Sequence, residues 1–144
     1  MKSRMTAKEL LTAAVVLVVI AAIAVPMWRT HQLRIHRQDA IDSLRALQRA
    51  QDDYFGKYAR YANEAQLRAS APTALSGRSI SRRGYYQLTL KKSDDDLTYT
   101  AVARVIPLEQ ETMDTRCAEL RIDQNGRRFA VNAEGVDRSA DCWR

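Results

Sequence analysis

The sequence predicts an α+β protein in which one long N-terminal helix packs on an antiparallel sheet of four strands. The first half of this helix is expected in a membrane, and the second half is expected to be amphipathic. Three features of the 144-residue chain predict this fold: an uncharged apolar run near the start, a helical pattern that continues from it, and short alternating segments that follow. The length suits one domain after the membrane segment is subtracted.

The apolar run extends over residues 10–28 and contains no charged residue. At a rise of about 1.5 Å per residue, this helix reaches about 28 Å, close to the roughly 30 Å of a bilayer's hydrocarbon core. Lys2, Arg4 and Lys8 precede the run, and the positive-inside rule keeps such residues in the cytoplasm. The run therefore predicts a single membrane span, with the rest of the chain outside the cytoplasm.

A cleaved signal peptide is the alternative interpretation of the same run. Residues 11–20 would form its apolar region, and residues 22–24, Ala-Ile-Ala, match a small-residue cleavage site. Pro26 lies just past that site, the apolar run continues directly into a helical pattern, and Glu9 stands at its head. These features favour the membrane span.

The second half of the helix carries one apolar stripe. Apolar and aromatic residues recur there every three or four positions, and no Gly or Pro interrupts residues 27–55. The stripe comprises Ala40, Leu44, Leu47, Gln51, Tyr54, Tyr58 and Tyr61, and it is widened by Ile41 and Phe55. It predicts a helix that ends near Tyr58 and packs on another element. Residues 59–83 lack this period and predict a loop with one helical turn.

Two β-hairpins are predicted after that loop. Residues 84–92 and 97–106 alternate around the turn 93–96, and residues 117–123 and 127–132 flank Asn125-Gly126, a strong tight-turn signal. The alternation places nine residues on the face toward the helix: Leu88, Leu90, Tyr99, Ala101, Ala103, Leu120, Ile122, Phe129 and Val131. The tail, residues 134–144, carries no strand pattern.

The chain has two cysteines, Cys117 and Cys142. Outside the cytoplasm such a pair favours one disulfide, with Cys117 at the start of the third strand and Cys142 holding the tail to it. A disulfide across about 25 residues is worth roughly 3 to 4 kcal/mol in the chain-entropy model. Two free buried thiols are the alternative, and a metal site would need more ligands.

Catalytic and cofactor-binding patterns are missing from the sequence. His31 and His36 point about 140° apart on a helix and cannot share a metal. No Ser-His-Asp arrangement or phosphate-binding glycine loop is visible, and the run Asp94-Asp95-Asp96 is typical of a solvated turn rather than of a calcium loop. The sequence therefore predicts a protein that is not an enzyme and that has no cofactor and no metal.

Basic residues suggest an anionic partner. The net charge is +6, and from Arg29 onward the chain has 20 basic and 16 acidic residues, a net charge of +4. The candidates for contact with DNA phosphates are Arg82, Arg83, Lys91, Lys92, Arg127 and Arg128. A scattered, solvated surface is the alternative, because a charge excess of this size is common.

Several of these stretches resemble the type IV pilin family, and among its members the minor pilins with a small four-stranded domain. They include a short basic leader, a Glu at the start of the apolar run, "AAIAVP", a helix ending in "AQDDYFGKYARYA", and later "GYYQLTL", "YTAVARVIP", "DTRCAELRIDQNG" and a terminal "CW". The resemblance implies a structural pilus subunit that a prepilin peptidase cuts after a Gly and that is then N-methylated. The resemblance also extends to a competence branch of the family, whose members bind DNA for uptake.

The family's pattern transfers to individual positions of this chain. Met5 falls on the first mature residue, Glu9 on the family's fifth-position Glu, and Pro26 on its helix proline. Glu9 and Pro26 are therefore the candidate assembly residues, with Glu9 paired to a neighbour's new N-terminal amine. Arg4 stands where the family has Gly, and Lys8 replaces an apolar residue, so the processing site at Arg4 and Met5 departs from the family.

The resemblance and the residues together predict three parts: a basic leader and helix start at 1–9, a transmembrane and assembly helix at 10–28, and a periplasmic or extracellular pilin-like domain at 29–144. The expected function is that of a structural minor subunit of a type IV pilus, anchored in the bacterial inner membrane. Its expected partners are other pilin subunits and the pilus assembly machinery. Two alternatives remain: a DNA-binding pilin of the competence kind, and a membrane-anchored periplasmic domain that never enters a filament.

Overall fold

The structure, a computed structural model, describes residues 7–71, 79–107 and 114–144. Within these ranges three α-helices, one 3-10 turn and four strands follow one another: α1 (Ala7–Tyr58), α2 (Glu64–Ser70), β1 (Tyr86–Lys92), β2 (Tyr99–Val105), the 3-10 turn (Thr115–Cys117), β3 (Glu119–Asp123), β4 (Arg128–Val131) and α3 (Ser139–Cys142). The predicted fold class, a long helix with a four-stranded antiparallel sheet, is confirmed.

The chain divides into two compact units, Met1–Arg34 and Ile35–Arg144. The boundary between these units lies after Arg34. The boundary after residue 28 concerns the end of the membrane segment, and it stays a prediction. In the first unit no described residue is buried, and the apolar side chains from Leu10 to Trp28 are exposed. The mean hydropathy of this part of α1 reaches 2.8, and the helix is long and apolar enough to cross a membrane.

The second unit contains the core, which the predicted stripe of α1 enters. Ala40, Ile41, Leu44, Leu47 and Tyr54 are all buried, in one cluster with residues from the strands. Tyr58 was expected in this stripe, but it is 55% exposed because α1 ends at this residue. Burial of one stripe against a sheet is how an amphipathic helix gains most of its stability.

Gln51 is the polar member of the stripe, and it is fully buried. Its side-chain amide donates a hydrogen bond to the carbonyl of Ala62 and accepts one from the Ala62 N–H, both at 2.8 Å. A buried amide is tolerated only when its donors and acceptors are paired. These two bonds hold the segment that follows α1 against the helix.

The sheet order is β1-β2-β3-β4, and every neighbouring pair is antiparallel. Leu88, Ala103, Leu120 and Ala130 face one another across the four strands and form one row of the buried face. The prediction that Phe129 and Val131 belong to this face was wrong. Phe129 pairs with Arg121 and is 48% exposed, because the register of β4 turns its odd-numbered residues outward.

The predicted helical turn in residues 59–83 is the seven-residue helix α2. Asn63 and Gln66 form a reciprocal capping box at its start, which satisfies two N–H groups of the first turn. The Glu64 carboxylate then accepts a hydrogen bond from the Leu90 N–H at the free edge of β1. α2 is thereby tied to the edge of the sheet.

Candidate functional site

The predicted disulfide between Cys117 and Cys142 is confirmed. Both residues are buried, and their Cα atoms lie 5.8 Å apart. Cys117 does not begin the third strand as predicted: it ends the 3-10 turn that precedes β3, because the Asp114 side chain caps that turn through the Cys117 N–H. The bond joins this turn to α3, a short helix in the tail, for which the sequence showed no strand pattern.

A buried ion pair lies beside the disulfide. The Arg37 guanidinium of α1 makes two hydrogen bonds to the Asp114 carboxylate, one of them 3.1 Å long between Nη2 and Oδ1. The hydrogen bond that Arg37 donates to Asp114 raises the pKa of Arg37, against the opposing effect of burial. The Tyr86 hydroxyl donates to the Cys117 carbonyl, so helix, strand and disulfide are joined at this end of the sheet.

Arg82 and Arg83, two of the DNA-contact candidates, lie in the turn that leads into β1, and both are exposed. The Arg83 N–H donates to both oxygens of the Asp39 carboxylate on α1, at 3.0 and 3.1 Å. Gly84 follows with φ of +87°, a conformation that residues with a Cβ rarely adopt. The turn is therefore fixed by its backbone, and its two arginine side chains extend into solvent.

Lys91 and Lys92 end β1 and differ in environment. Lys91 is exposed on the outer face of the sheet, opposite Thr100. Lys92 forms an ion pair with Asp96 across the turn between β1 and β2, and its side chain is only 21% exposed. Lys92 is therefore neutralised locally, and Lys91 is the better candidate for contact with an anion.

Arg127 and Arg128, at the start of β4, are both exposed. The Arg128 guanidinium carbon lies 5.5 Å above the centre of the Trp143 ring, within the range of a cation–π interaction. The Trp143 indole N–H donates to the Phe129 carbonyl at 3.0 Å, which holds the ring against β4. The tail that the disulfide retains therefore orients one of the candidate cations.

The structure separates the six DNA-contact candidates into two groups at opposite ends of the sheet. Because the strands are antiparallel, the end of β1 and the start of β4 lie at the same end, which brings Lys91, Arg127 and Arg128 there; we call these three residues the sheet-end cluster. Lys91 and Arg127 are separated by three strand spacings, about 14 Å. Arg82 and Arg83 lie beyond the other end of β1, about 17 Å or more from Lys91 at 3.4 Å per residue.

A second charged group on the outer face was missed by the sequence analysis. The Glu119 carboxylate accepts hydrogen bonds from both Arg104 and Arg121, and its side chain is 7% exposed. Burial acts to raise the pKa of Glu119, but the hydrogen bonds from the two arginines lower it below the ordinary value. The i, i+2 spacing of Glu119 and Arg121 was visible in the sequence, but the pairing of β3 with Arg104 on β2 was not.

The candidate assembly residues lie in the exposed half of α1. Glu9 is in the first described turn of the helix, and Pro26 is inside it. Proline has no N–H to donate to the preceding turn, and the Thr30 hydroxyl donates to the Pro26 carbonyl at 2.9 Å. Arg4 and Met5, the processing candidates, lie outside the described residues. Within residues 7–71, 79–107 and 114–144, no group of three or more His, Cys, Asp or Glu residues could hold a metal.

Comparisons with known proteins identify similar chains. The family described as "Type IV minor pilin ComP, DNA uptake sequence receptor" matches residues 26–121, which is more than half of the chain. Among solved structures, a type IV pilin from Shewanella oneidensis is similar with a TM-score of 0.45 and 17% sequence identity, over 64% of this chain and 84% of the pilin. A comparison with curated proteins gives no match.

Proposed function

This chain belongs to the family of the type IV minor pilin ComP, the DNA uptake sequence receptor, and from that premise we propose that its folded unit binds double-stranded DNA at the sheet-end cluster. The chain is a structural minor pilin. Its fold, a long helix on a four-stranded sheet, is that of the type IV pilins. DNA binding is the additional role that we assign to its surface.

Three exposed cations from two distant segments lie at one end of the sheet, and this shared position carries the proposal. Lys91 is on the outer face, and Arg128, which pairs with the buried Ile122, is on the helix-facing side. Lys91 comes from the end of β1, and Arg127 and Arg128 come from the start of β4. The spacing of about 14 Å between Lys91 and Arg127 is comparable with the roughly 12 Å width of the major groove, so two cations can meet phosphates on its two sides. Arg128 is already oriented by Trp143, which lowers the entropy lost on binding.

The test is a titration of the full chain, in detergent micelles, with double-stranded DNA at several salt concentrations. Phosphate contacts release counterions, so the affinity of the unaltered protein should fall steeply as salt is added. The variant Lys91→Gln/Arg127→Gln/Arg128→Gln should bind more weakly and lower the salt slope by about 3, one for each contact.

A matched control removes charge elsewhere on the same unit. Arg82→Gln/Arg83→Gln should retain the affinity and the salt slope of the unaltered chain. Absence of DNA binding by the unaltered protein at low salt would overturn the proposal and leave a structural subunit. Equal losses in the control and the triple variant would show that the DNA surface is not confined to the sheet-end cluster.

The rest of the function follows from the apolar half of α1. Lys2, Arg4 and Lys8 precede the span, so we infer that the folded unit lies in the periplasm, where the disulfide between Cys117 and Cys142 is stable. In a filament, this half of α1 would pack against the same segment of other pilins, with Glu9 beside a cation and Pro26 adjusting the helix. The work of the protein is assembly and recognition rather than catalysis. N-terminal mass spectrometry of sheared filaments and of membranes tests where the protein resides.

A further inference from the structure

A group of aromatic rings lies at the end of the second unit where α1 stops. The Tyr54 and Tyr58 rings lie 4.4 Å apart, those of Phe55 and Tyr61 4.7 Å apart, and those of Tyr61 and Tyr99 4.7 Å apart. Phe55 is 37% exposed and Tyr58 is 55% exposed. We call this surface, together with Asp52 and Asp53, the aromatic end. It combines ring faces with carboxylates, the two groups that bind a guanidinium.

The negative charge of the aromatic end has no cationic partner within the described part of the chain. Asp52 and Asp53 are exposed and form no ion pair there, although Arg49, Lys57 and Arg60 lie on neighbouring turns. Burial and the nearby Asp53 raise the pKa of Asp52. The Tyr99 hydroxyl is buried and has no hydrogen-bond partner in the described residues. The two carboxylates of the aromatic end therefore have no cationic donor among the described residues.

Complementary groups lie at the opposite end of the same unit. Arg82 and Arg83 are exposed, and the described residues contain no ion pair to either side chain. Their turn is bonded to Asp39, which precedes Asp52 by thirteen residues on α1. At 1.5 Å per residue the two ends are about 20 Å apart, far more than the length of an arginine side chain. The two groups can therefore meet only between different molecules.

We propose that the aromatic end receives the Arg82–Arg83 turn of a second copy of this chain. An arginine can stack on an aromatic ring while pairing with a carboxylate, which a lysine does less well. The contact is head-to-tail: each copy uses one end as donor and the other as acceptor, and such contacts extend into open rows rather than closed pairs. The proposal rests on the chain's role as a filament subunit and adds a contact between folded units to it.

Cysteine cross-linking tests the contact on the full chain in membranes. The native cysteines are bonded to one another, so an introduced cysteine is the only free thiol. Cells that express both Tyr58→Cys and Ile80→Cys should yield a cross-linked dimer of the two variants under mild oxidation, because Ile80 is exposed and lies two residues before Arg82. The pair Tyr58→Cys with Arg45→Cys is the matched control and should give about tenfold less product, because Arg45 lies midway between the two ends of the second half of α1.

Charge exchange gives a second readout of the same contact. Introduction of Asp52→Arg/Asp53→Arg, or of Arg82→Asp/Arg83→Asp, into both cross-linking partners should reduce the product about tenfold. All four changes in one chain should restore it, because the two ends are then complementary again. A product that persists in each double variant, or a dimer of Tyr58→Cys with itself as the main product, would overturn the proposal.

The experiments distinguish the DNA-binding proposal from the subunit-contact proposal, because either one can fail while the other holds. DNA binding by the unaltered sheet-end cluster should be retained in the Asp52→Arg/Asp53→Arg variant. If instead Arg82→Asp/Arg83→Asp abolishes DNA binding while leaving the cross-link intact, the turn belongs to the DNA surface and the subunit contact is wrong.

Discussion

The two halves of α1 have different surroundings. From Ala7 to Arg34 the helix has no buried side chain, although most of its residues up to Trp28 are apolar. From Ile35 to Tyr58 nine residues are buried, and they form a single stripe in which Asp39 is the one acidic residue. The exposed charged residues lie on the other faces. From Leu10 to Trp28 the helix is apolar all round, whereas the second half is apolar on one side only.

This difference indicates what each half of α1 packs against. A stripe is matched by an apolar surface of the same chain, and the second half of α1 meets the sheet in one core cluster. A helix that is apolar on all sides requires an apolar environment from outside the chain, which is lipid or other helices. Stability of the folded unit and placement in a membrane or filament should therefore respond to different mutations.

The largest effect expected is from Leu47→Asp. Leu47 is fully buried between α1 and the sheet, and the change puts an unpaired charge in the core. We expect a loss of more than about 4 kcal/mol in the free energy of unfolding, enough to unfold the second unit. Denaturant unfolding of the full chain in detergent, followed by near-ultraviolet circular dichroism, measures this loss.

Leu17→Asp is the matched control in the exposed half of the helix. Leu17 is 66% exposed, so the second unit should unfold at the same denaturant concentration as the unaltered protein. Membrane insertion should become less favourable instead, because an Asp near the centre of a span raises the free energy of insertion by about 3 kcal/mol. Equal stability of Leu47→Asp and Leu17→Asp would contradict the division of α1 into two functional halves.

A smaller effect is expected from loss of the disulfide. Cys117→Ser or Cys142→Ser should lower the free energy of unfolding by roughly 3 to 4 kcal/mol in the chain-entropy model and expose the tail to proteolysis. Membrane insertion should not change, because the bond lies wholly in the second unit. Mass mapping without reduction that finds two free thiols in the exported protein would refute the pairing.

The sequence predicted most of the fold because its strongest patterns are local. The helical period determined the end of α1, and the Asn125-Gly126 turn and the alternation of the strands determined the two hairpins. The spacing of Ala40, Leu44 and Leu47 also identified the face of α1 that the sheet covers. Each of these features depends on residues within a few positions of one another.

The features that the sequence did not predict depend on contacts between distant segments. Ala130 rather than Phe129 faces the core, because pairing with Leu120 on β3 determines the register of a four-residue strand. The two groups of basic residues likewise depend on strand order, and the ion pair of Lys92 depends on the turn it faces. The candidate residues could be named from the sequence, but their grouping could not.

Changes before and at the start of α1 should have the smallest effect on folding. They should decide whether the protein stays in the membrane or enters a filament. A carboxylate that enters an apolar helix bundle is costly without a cation beside it. In the pilin family that cation is a new N-terminal amine, which is made by a cut after Gly. The resemblance to the family places Arg4 at the position of that Gly, so we expect much of the protein to keep its leader and to remain in the membrane.

Two variants test this expectation without changing the stability of the second unit, since neither residue lies in its core. Arg4→Gly should increase cleavage before Met5 and the amount of protein in sheared filaments, both measured by N-terminal mass spectrometry. Glu9→Ala, added to Arg4→Gly, should then abolish incorporation into filaments while membrane insertion persists, because the amine has lost its carboxylate partner. An unaltered protein that is already cut before Met5 and abundant in filaments would show that Arg4 does not block processing. A Glu9→Ala variant that assembles normally in both backgrounds would show that Glu9 is only a charge at the edge of the membrane.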